Sequence, residues 1–269
     1  MKKFLIVCGD SYCDPTFRSG GHPDLDVSWP KWPEMLAEEW GMDIINLSQA
    51  GQGNEFIYSR LQDTIMNIKD KSRIGMVIPA WSQVHRWDWQ VSKGHQSWKH
   101  ANSKFSWVSD RIQGQGDLIG WMRKSCRHFL ALQILCERYD IPYMQFGMIH
   151  PYQNFLGGLK PTENQMVELG LTDDDGMEYP FGSKAGDEKK IHRVISEYNK
   201  VIDMEKFPGW PLDQKIGGYT LNYEVIGWNQ IEELPWVISK IDQHPNAKGQ
   251  VKLKDWIKLK VEIVYDGLG

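Results

Sequence analysis

Phe4-Leu5-Ile6-Val7-Cys8-Gly9-Asp10-Ser11 decides the fold. The apolar, β-branched run is too short for a helix and suits a buried strand. Gly9 permits a sharp turn at the strand's end. Ser11 then lies just past the carboxyl end of a central strand, where open α/β sheets bind ligands. Taken alone, Gly-Asp-Ser reads equally as a plain turn or a helix N-cap.

Working outward, the chain alternates strand and helix. A Gly-, Pro- and Asp-rich loop follows Ser11. Pro30 and Pro33 open a short helix whose apolar face is Met35, Leu36 and Trp40, closed by Gly41. Residues 43–47 form a second strand, ending in the Gly-rich turn Ser48 to Asn54. Phe56, Ile57, Leu61, Ile65 and Ile68 recur at helical spacing. Ile74 to Ile78 is a third strand, closed by Pro79-Ala80-Trp81-Ser82. A long helix carries Leu118, Met122, Cys126, Phe129, Leu130 and Gln133 on one face. Ile141 to Phe146 is a fourth strand with Pro142 at its start. A helix over residues 188–204 and a C-terminal helix over 247–259 complete the pattern, with Pro235 to Ile238 a short strand or turn between them. The alternation predicts a parallel sheet with right-handed crossovers, in one domain over residues 1–269. Residues 83–117 and 157–187 read as insertions. The first is polar, irregular and Trp-rich, and its aromatic content argues for order.

Composition narrows the class. Hydrophobic residues make up 41% and charged residues 25%, enough for an ordinary core. A net charge of -4 predicts no nucleic-acid surface, and no apolar run is long enough to span a membrane. Met1-Lys2-Lys3 and the apolar residues after it lack the length and cleavage pattern of a signal peptide, so the expectation is a cytoplasmic protein. The four cysteines, Cys8, Cys13, Cys126 and Cys136, show neither zinc-ligand pairing nor a disulfide framework. There are thirteen Trp, several of them clustered between Trp81 and Trp107, and such rings line either a sugar-binding surface or a core.

A serine hydroxyl needs a base to become a nucleophile. A histidine serves if an acid fixes its tautomer. Asp242 and His244 are two residues apart, and in an extended segment their side chains leave the same face. Backbone N–H groups of Ser11 and Gly51, at the ends of neighbouring strands, are placed to hold an oxyanion.

These motifs together resemble the SGNH hydrolase superfamily, the GDSL-type esterases. Gly9-Asp10-Ser11 matches the family's first block. Asn46 and Gly51 match the Asn and oxyanion Gly of the second. Asp242-Gln243-His244-Pro245-Asn246 matches the last block, one residue short of its commonest form. The resemblance implies a flavodoxin-like three-layer α/β/α sandwich and a serine hydrolase without cofactor. It implies Ser11 as nucleophile, His244 as base and Asp242 as its orienter. The third block, Gly-x-Asn after strand three, is absent. Gln83 is the better chemical substitute for its Asn donor and Ser82 the nearer one by position. Short chains of this kind with a Trp-Ser ending to strand three also resemble bacteriophage-encoded ones, which admits association with a virion.

Other residues carry alternative readings. His85, Asp88, His95 and His100 fit no metal-ligand spacing, so no metal is expected. Arg86 either grips an anionic substrate or pairs with Asp88. His150 lines a pocket or is structural. Asn54 caps the following helix or touches substrate. Trp81 is a candidate substrate wall. The expected activity is hydrolysis of a small-molecule or glycan ester, with a short acyl or O-acetyl carbohydrate substrate. The alternatives are an O-acyltransferase on the same scaffold and a non-catalytic carbohydrate-binding or structural protein with a weakened site.

Overall fold

The computed structural model describes residues 2–93, 95–102, 116–152, 187–226, 235–239 and 241–265. Three strands, β1 (Phe4–Cys8), β2 (Asp43–Asn46) and β3 (Ile74–Trp81), pair in parallel with β1 in the centre. A two-residue strand (Phe146–Gly147) extends the sheet beyond β3. Counting the hairpin strands β4 (Arg86–Lys93) and β5 (His95–Asn102), it is β6, and the sheet order is β2-β1-β3-β6. This is the flavodoxin-like order, in an α/β/α sandwich.

Alternation along the strands sorts the core into two faces. Leu5 and Val7 of β1 join Met76, Ile78 and Ala80 of β3 beneath α1 (Trp32–Glu39) and the C-terminal helix, α5 (Ala247–Val264). Ile6 and Cys8 join Val77 and Trp81 on the opposite face. That face packs against α2 (Asn54–Asn67), α3 (Leu118–Arg138) and α4 (Asp187–Tyr198). A register shift between Phe4 and Leu5 leaves Gly75 as the extra residue of β3, which is why Ile74 and Met76 face opposite layers.

Several expected elements differ. The fourth strand is not continuous over residues 141–146. It is an isolated bridge, Val77 to Tyr143, followed by β6. The Val77 N–H donates to Pro142 O and the Trp81 carbonyl accepts from Met148 N, so alternate residues of β3 face this edge. Pro79 falls between them and has no N–H to give, which interrupts the ladder. The first expected insertion is not irregular, because residues 86–93 and 95–102 pair as an antiparallel hairpin. The second expected insertion lies, apart from its last residue, outside the described residues. Helix α4 ends at Tyr198 rather than near Met204, where Asn199 accepts the Trp210 indole N–H at 2.6 Å. Helix α5 runs to Val264, beyond the expected end. Residues 235–238 are a turn, apart from one antiparallel bridge, Val237 to Pro245. No described helix is long and apolar enough to cross a membrane.

Candidate active site

The end of β1 sits against β3 with no room to spare. A Cβ at Gly9 would lie 2.7 Å from Cys13 Sγ and 2.8 Å from Ala80 Cβ, so the turn that presents Ser11 needs glycine. After it, the Asp10 carbonyl accepts from Cys13 N (3.0 Å) and Asp14 N (3.1 Å), which curls residues 10–14 into a tight turn. Cys13, two residues after Ser11, is fully buried in the core.

Ser11 Oγ lies 2.8 Å from His244 Nε2, and His244 Nδ1 lies 2.6 Å from Asp242 Oδ1. The three residues expected to act together are therefore brought together across 233 residues of chain. Burial would raise the Asp242 pKa, but hydrogen bonds from the His244 ring, the Ser19 hydroxyl and the His244 backbone N–H pull it down to about 2. An ionised carboxylate only accepts, so Nδ1 carries the proton that faces it. That fixes the tautomer. Nε2 then presents its lone pair to Ser11, whose hydroxyl donates.

The short Asp-x-His spacing works through a local turn rather than an extended segment. Asp242 Oδ1 also accepts the backbone N–H of His244 at 3.1 Å, an Asx turn that folds the histidine back over its partner. Asp242 N–H donates to Ser239 Oγ (3.0 Å), and His22 Nε2 lies 2.7 Å from the same hydroxyl. Phe17 lies on the His244 ring with centroids 4.3 Å apart, and Tyr12 lies at 5.4 Å.

The loop after β2 is pinned beside the Ser11 turn. Gln49 N donates to Gly9 O (3.2 Å), and Ala50 N donates to Asp14 Oδ2 (2.8 Å). Gly51 follows with φ +80°, a conformation that glycine adopts freely. The Ser11 and Gly51 N–H groups have no hydrogen-bond acceptor among the described residues.

Four other expected site residues have different partners. Ser82 donates its hydroxyl to Asp10 Oδ2 at 2.8 Å, not toward the serine's substrate side. Asn54 does not cap α2 through its side chain. Its Oδ1 accepts Ser82 N–H (2.8 Å), and its Nδ2 donates to Ser82 O (3.1 Å) and Ser125 Oγ (3.0 Å). The cap comes from the hairpin instead: Asp88 accepts from Gly53 N (2.8 Å) and Phe56 N (3.1 Å). Arg86 pairs with Asp10 Oδ2 at 2.9 Å, not with Asp88, and a largely covered guanidinium so engaged is not a free anion grip. Trp81 faces the α2–α3 layer, donates to Gln145 Oε1 (2.9 Å) and packs on Phe129, so it is core rather than a substrate wall. Gln83 is buried beside Ser82.

Three further residues stand around these side chains. Asp10 is fully buried and gathers Ser82, Arg86 and the Tyr12 N–H (3.1 Å) around one carboxylate. Its place inside Gly-Asp-Ser was the available signal. Ser19 and Phe17 lie in an irregular loop with no periodicity, and nothing in the sequence marked them. Burial pushes the Asp88 carboxyl up to about 7, against the pull of the Phe56 and Gly53 N–H groups and Arg86.

No protein-family model and no curated protein matches the chain. Solved structures do match over nearly the whole length. TesA is 12% identical with a TM-score of 0.46, covering 98% of this chain and 100% of that one. A psychrotrophic esterase, EstA, from Pseudoalteromonas sp., inhibited by monoethylphosphonate, is 11% identical with a TM-score of 0.43, covering 98% of each chain. A lipolytic protein described as of the G-D-S-L family, from Desulfitobacterium hafniense, is 14% identical with a TM-score of 0.45, covering 96% of this chain and 99% of that one. At such identities no residue's role transfers, and the reading of the site rests on its own geometry.

Proposed function

We propose that the chain is a serine esterase of the SGNH type. One observation carries the reading: the unbroken hydrogen-bonded chain Ser11–His244–Asp242. Ser11 Oγ attacks an acyl carbonyl while His244 Nε2 takes its proton. Asp242 holds the ring and stabilises the imidazolium. The N–H groups of Ser11 and Gly51 receive the charge on the carbonyl oxygen. His244 then returns the proton to the leaving alcohol, and water attacks the acyl-enzyme by the same route. Since the Ser82 hydroxyl and both Asn54 amide hydrogens are committed elsewhere, Gln83 is the side chain we assign as third donor.

The substrate reading is a short acyl ester. Ser11 is only 7% exposed, and the buried rings of Tyr12 and Phe17 crowd its base, which favours a small acyl group. An O-acetylated carbohydrate fits that class. The exposed Trp89 on the hairpin is the described ring available to a sugar.

The test is labelling by a fluorophosphonate together with hydrolysis of p-nitrophenyl esters of increasing acyl length. Wild type is expected to label and to turn over acetate fastest. Ser11→Ala and His244→Ala are expected to lose both. Absence of labelling in the folded wild type defeats the esterase reading, and faster turnover of long acyl chains defeats the substrate reading.

A further inference from the structure

A second group of ionisable side chains gathers where α4 begins. Glu188 and His192 are four apart on that helix, so they share a face. Asp213 meets them from the loop before the short helix Gln214–Ile216 and is buried. Its Oδ2 lies 2.8 Å from His192 Nε2. One ligand-type atom from each of the three lies within 4.8 Å of the others. None of them belongs to the Ser11 site, and the sequence offered no metal pattern here because the ligands come from a helix and a distant loop.

We propose that Glu188, His192 and Asp213 form a binding site for a divalent transition-metal cation of the zinc class. The donor set is an imidazole nitrogen and carboxylate oxygens, which is zinc-like chemistry. Two carboxylates balance the charge of a dication. Three protein ligands leave a position for water. Asp213 is held by further contacts: the Tyr152 hydroxyl donates to the same Oδ2 at 2.6 Å, and His150 Nε2 stands 3.9 Å from its Oδ1. The Lys215 N–H donates to the same Oδ1 at 3.0 Å. Such outer contacts orient a ligand toward a metal. A cation is already drawn to the cluster, because Lys215 Nζ lies 2.7 Å from Glu188 Oε1. That ammonium is 63% exposed and free to swing away, and exposed pairs of this kind hold weakly. Glu188 and His192 are themselves partly exposed, which gives an ion a path from solvent. In this account Lys215 occupies the place of the metal until the metal arrives. The bound ion ties the first turn of α4 to the 209–217 loop.

The experiment is calorimetric titration of the chelator-treated full chain with zinc chloride, repeated with cobalt(II) to read the ligand field. One ion per chain is expected. Glu188→Gln and His192→Ala are expected to weaken binding by roughly 10–100-fold. Lys215→Met removes the competitor and is expected to tighten it, an effect that a purely structural ion pair would not produce. His244→Ala is expected to leave uptake unchanged. Circular dichroism checks that each variant is folded, and if either ligand variant unfolds, the Lys215→Met titration decides. No stoichiometric uptake overturns the proposal, as does uptake indifferent to all three substitutions. Uptake lost in His244→Ala also overturns it, because the ion would then sit at the active site.

Discussion

Asp242 Oδ1 accepts from His244 twice, from ring Nδ1 at 2.6 Å and from the backbone N–H at 3.1 Å. One oxygen therefore sets both the position of the histidine and its tautomer. In Asp242→Asn the oxygen that keeps both bonds no longer carries the charge that stabilises the imidazolium, and an amide turned with its N–H toward the ring gives up the backbone bond and selects the wrong tautomer. Under the esterase reading its kcat falls by roughly 10³–10⁴-fold with little change in fold. Steady-state hydrolysis of p-nitrophenyl acetate beside circular dichroism checks this.

Ser82 separates two accounts of the oxyanion site. Its hydroxyl bonds to Asp10, so Ser82→Ala is expected to lower kcat by less than roughly tenfold. A residue that donated to the oxyanion would cost roughly 10²–10³-fold when truncated. Gln83→Ala is expected to show that larger loss. Comparing the two variants in one assay tests the assignment directly.

Arg86 and Asp10 form a buried ion pair whose side chains are 11% and 0% exposed. Removing the cation alone leaves a buried charge. Arg86→Met is expected to destabilise the fold by roughly 3–5 kcal/mol. The double variant Asp10→Asn/Arg86→Met is expected to recover part of that loss. Urea unfolding of wild type, Asp10→Asn, Arg86→Met and the double variant gives the coupling between the two sites.

Two carboxylates pull stability in opposite directions with pH. Asp88 has its native pKa raised from 3.8 to about 7, so the native state binds its proton more tightly than the unfolded chain does. Its contribution is full below about pH 4 and is lost as pH rises toward about 7. Asp242, lowered to about 2, contributes fully above its unfolded value of 3.8 and loses that contribution as pH falls toward about 2. Asp88→Asn is therefore expected to flatten the fall in urea midpoint between pH 4.5 and 7 (about the window set by its shift). An unchanged slope would reject the assignment.

Gly9 tests the packing behind Ser11. A Cβ added there would press on both Cys13 and Ala80, so Gly9→Ala is expected to cost roughly 1–3 kcal/mol. Gly9→Ala/Cys13→Ala frees one side of the clash and is expected to regain part of it. Thermal melts read both.

The parallel sheet was legible because β1 and β3 are apolar runs ended by unmistakable turn residues, and helical spacing is plain in α2 and α3. The hydrogen-bonded set Ser11, His244 and Asp242 was legible because serine chemistry calls for those three residue types, and the motifs that carry them stand at the ends of known elements. Other features depend on tertiary partners. The break before β6 follows from Pro79 standing on a neighbouring strand. Trp81 looked like a ligand wall because its ring was read without the parity of β3, which sends it into the core. The α2 cap was missed because Asp88 reaches it from a hairpin 35 residues away. Ser19 touches Asp242 across 223 residues, a pairing that no local pattern encodes.

Gln250 joins distant parts of the chain: its amide donates to Tyr12 O at 3.1 Å, and its carbonyl accepts from Trp32 N at 2.9 Å. The loop that carries Ser11 is thus braced by α5, and His244 lies just before that helix. During synthesis Ser11 is made before both His244 and this brace. Under the esterase reading, reactivity is withheld until α5 docks, and turnover itself reports that folding has reached that helix.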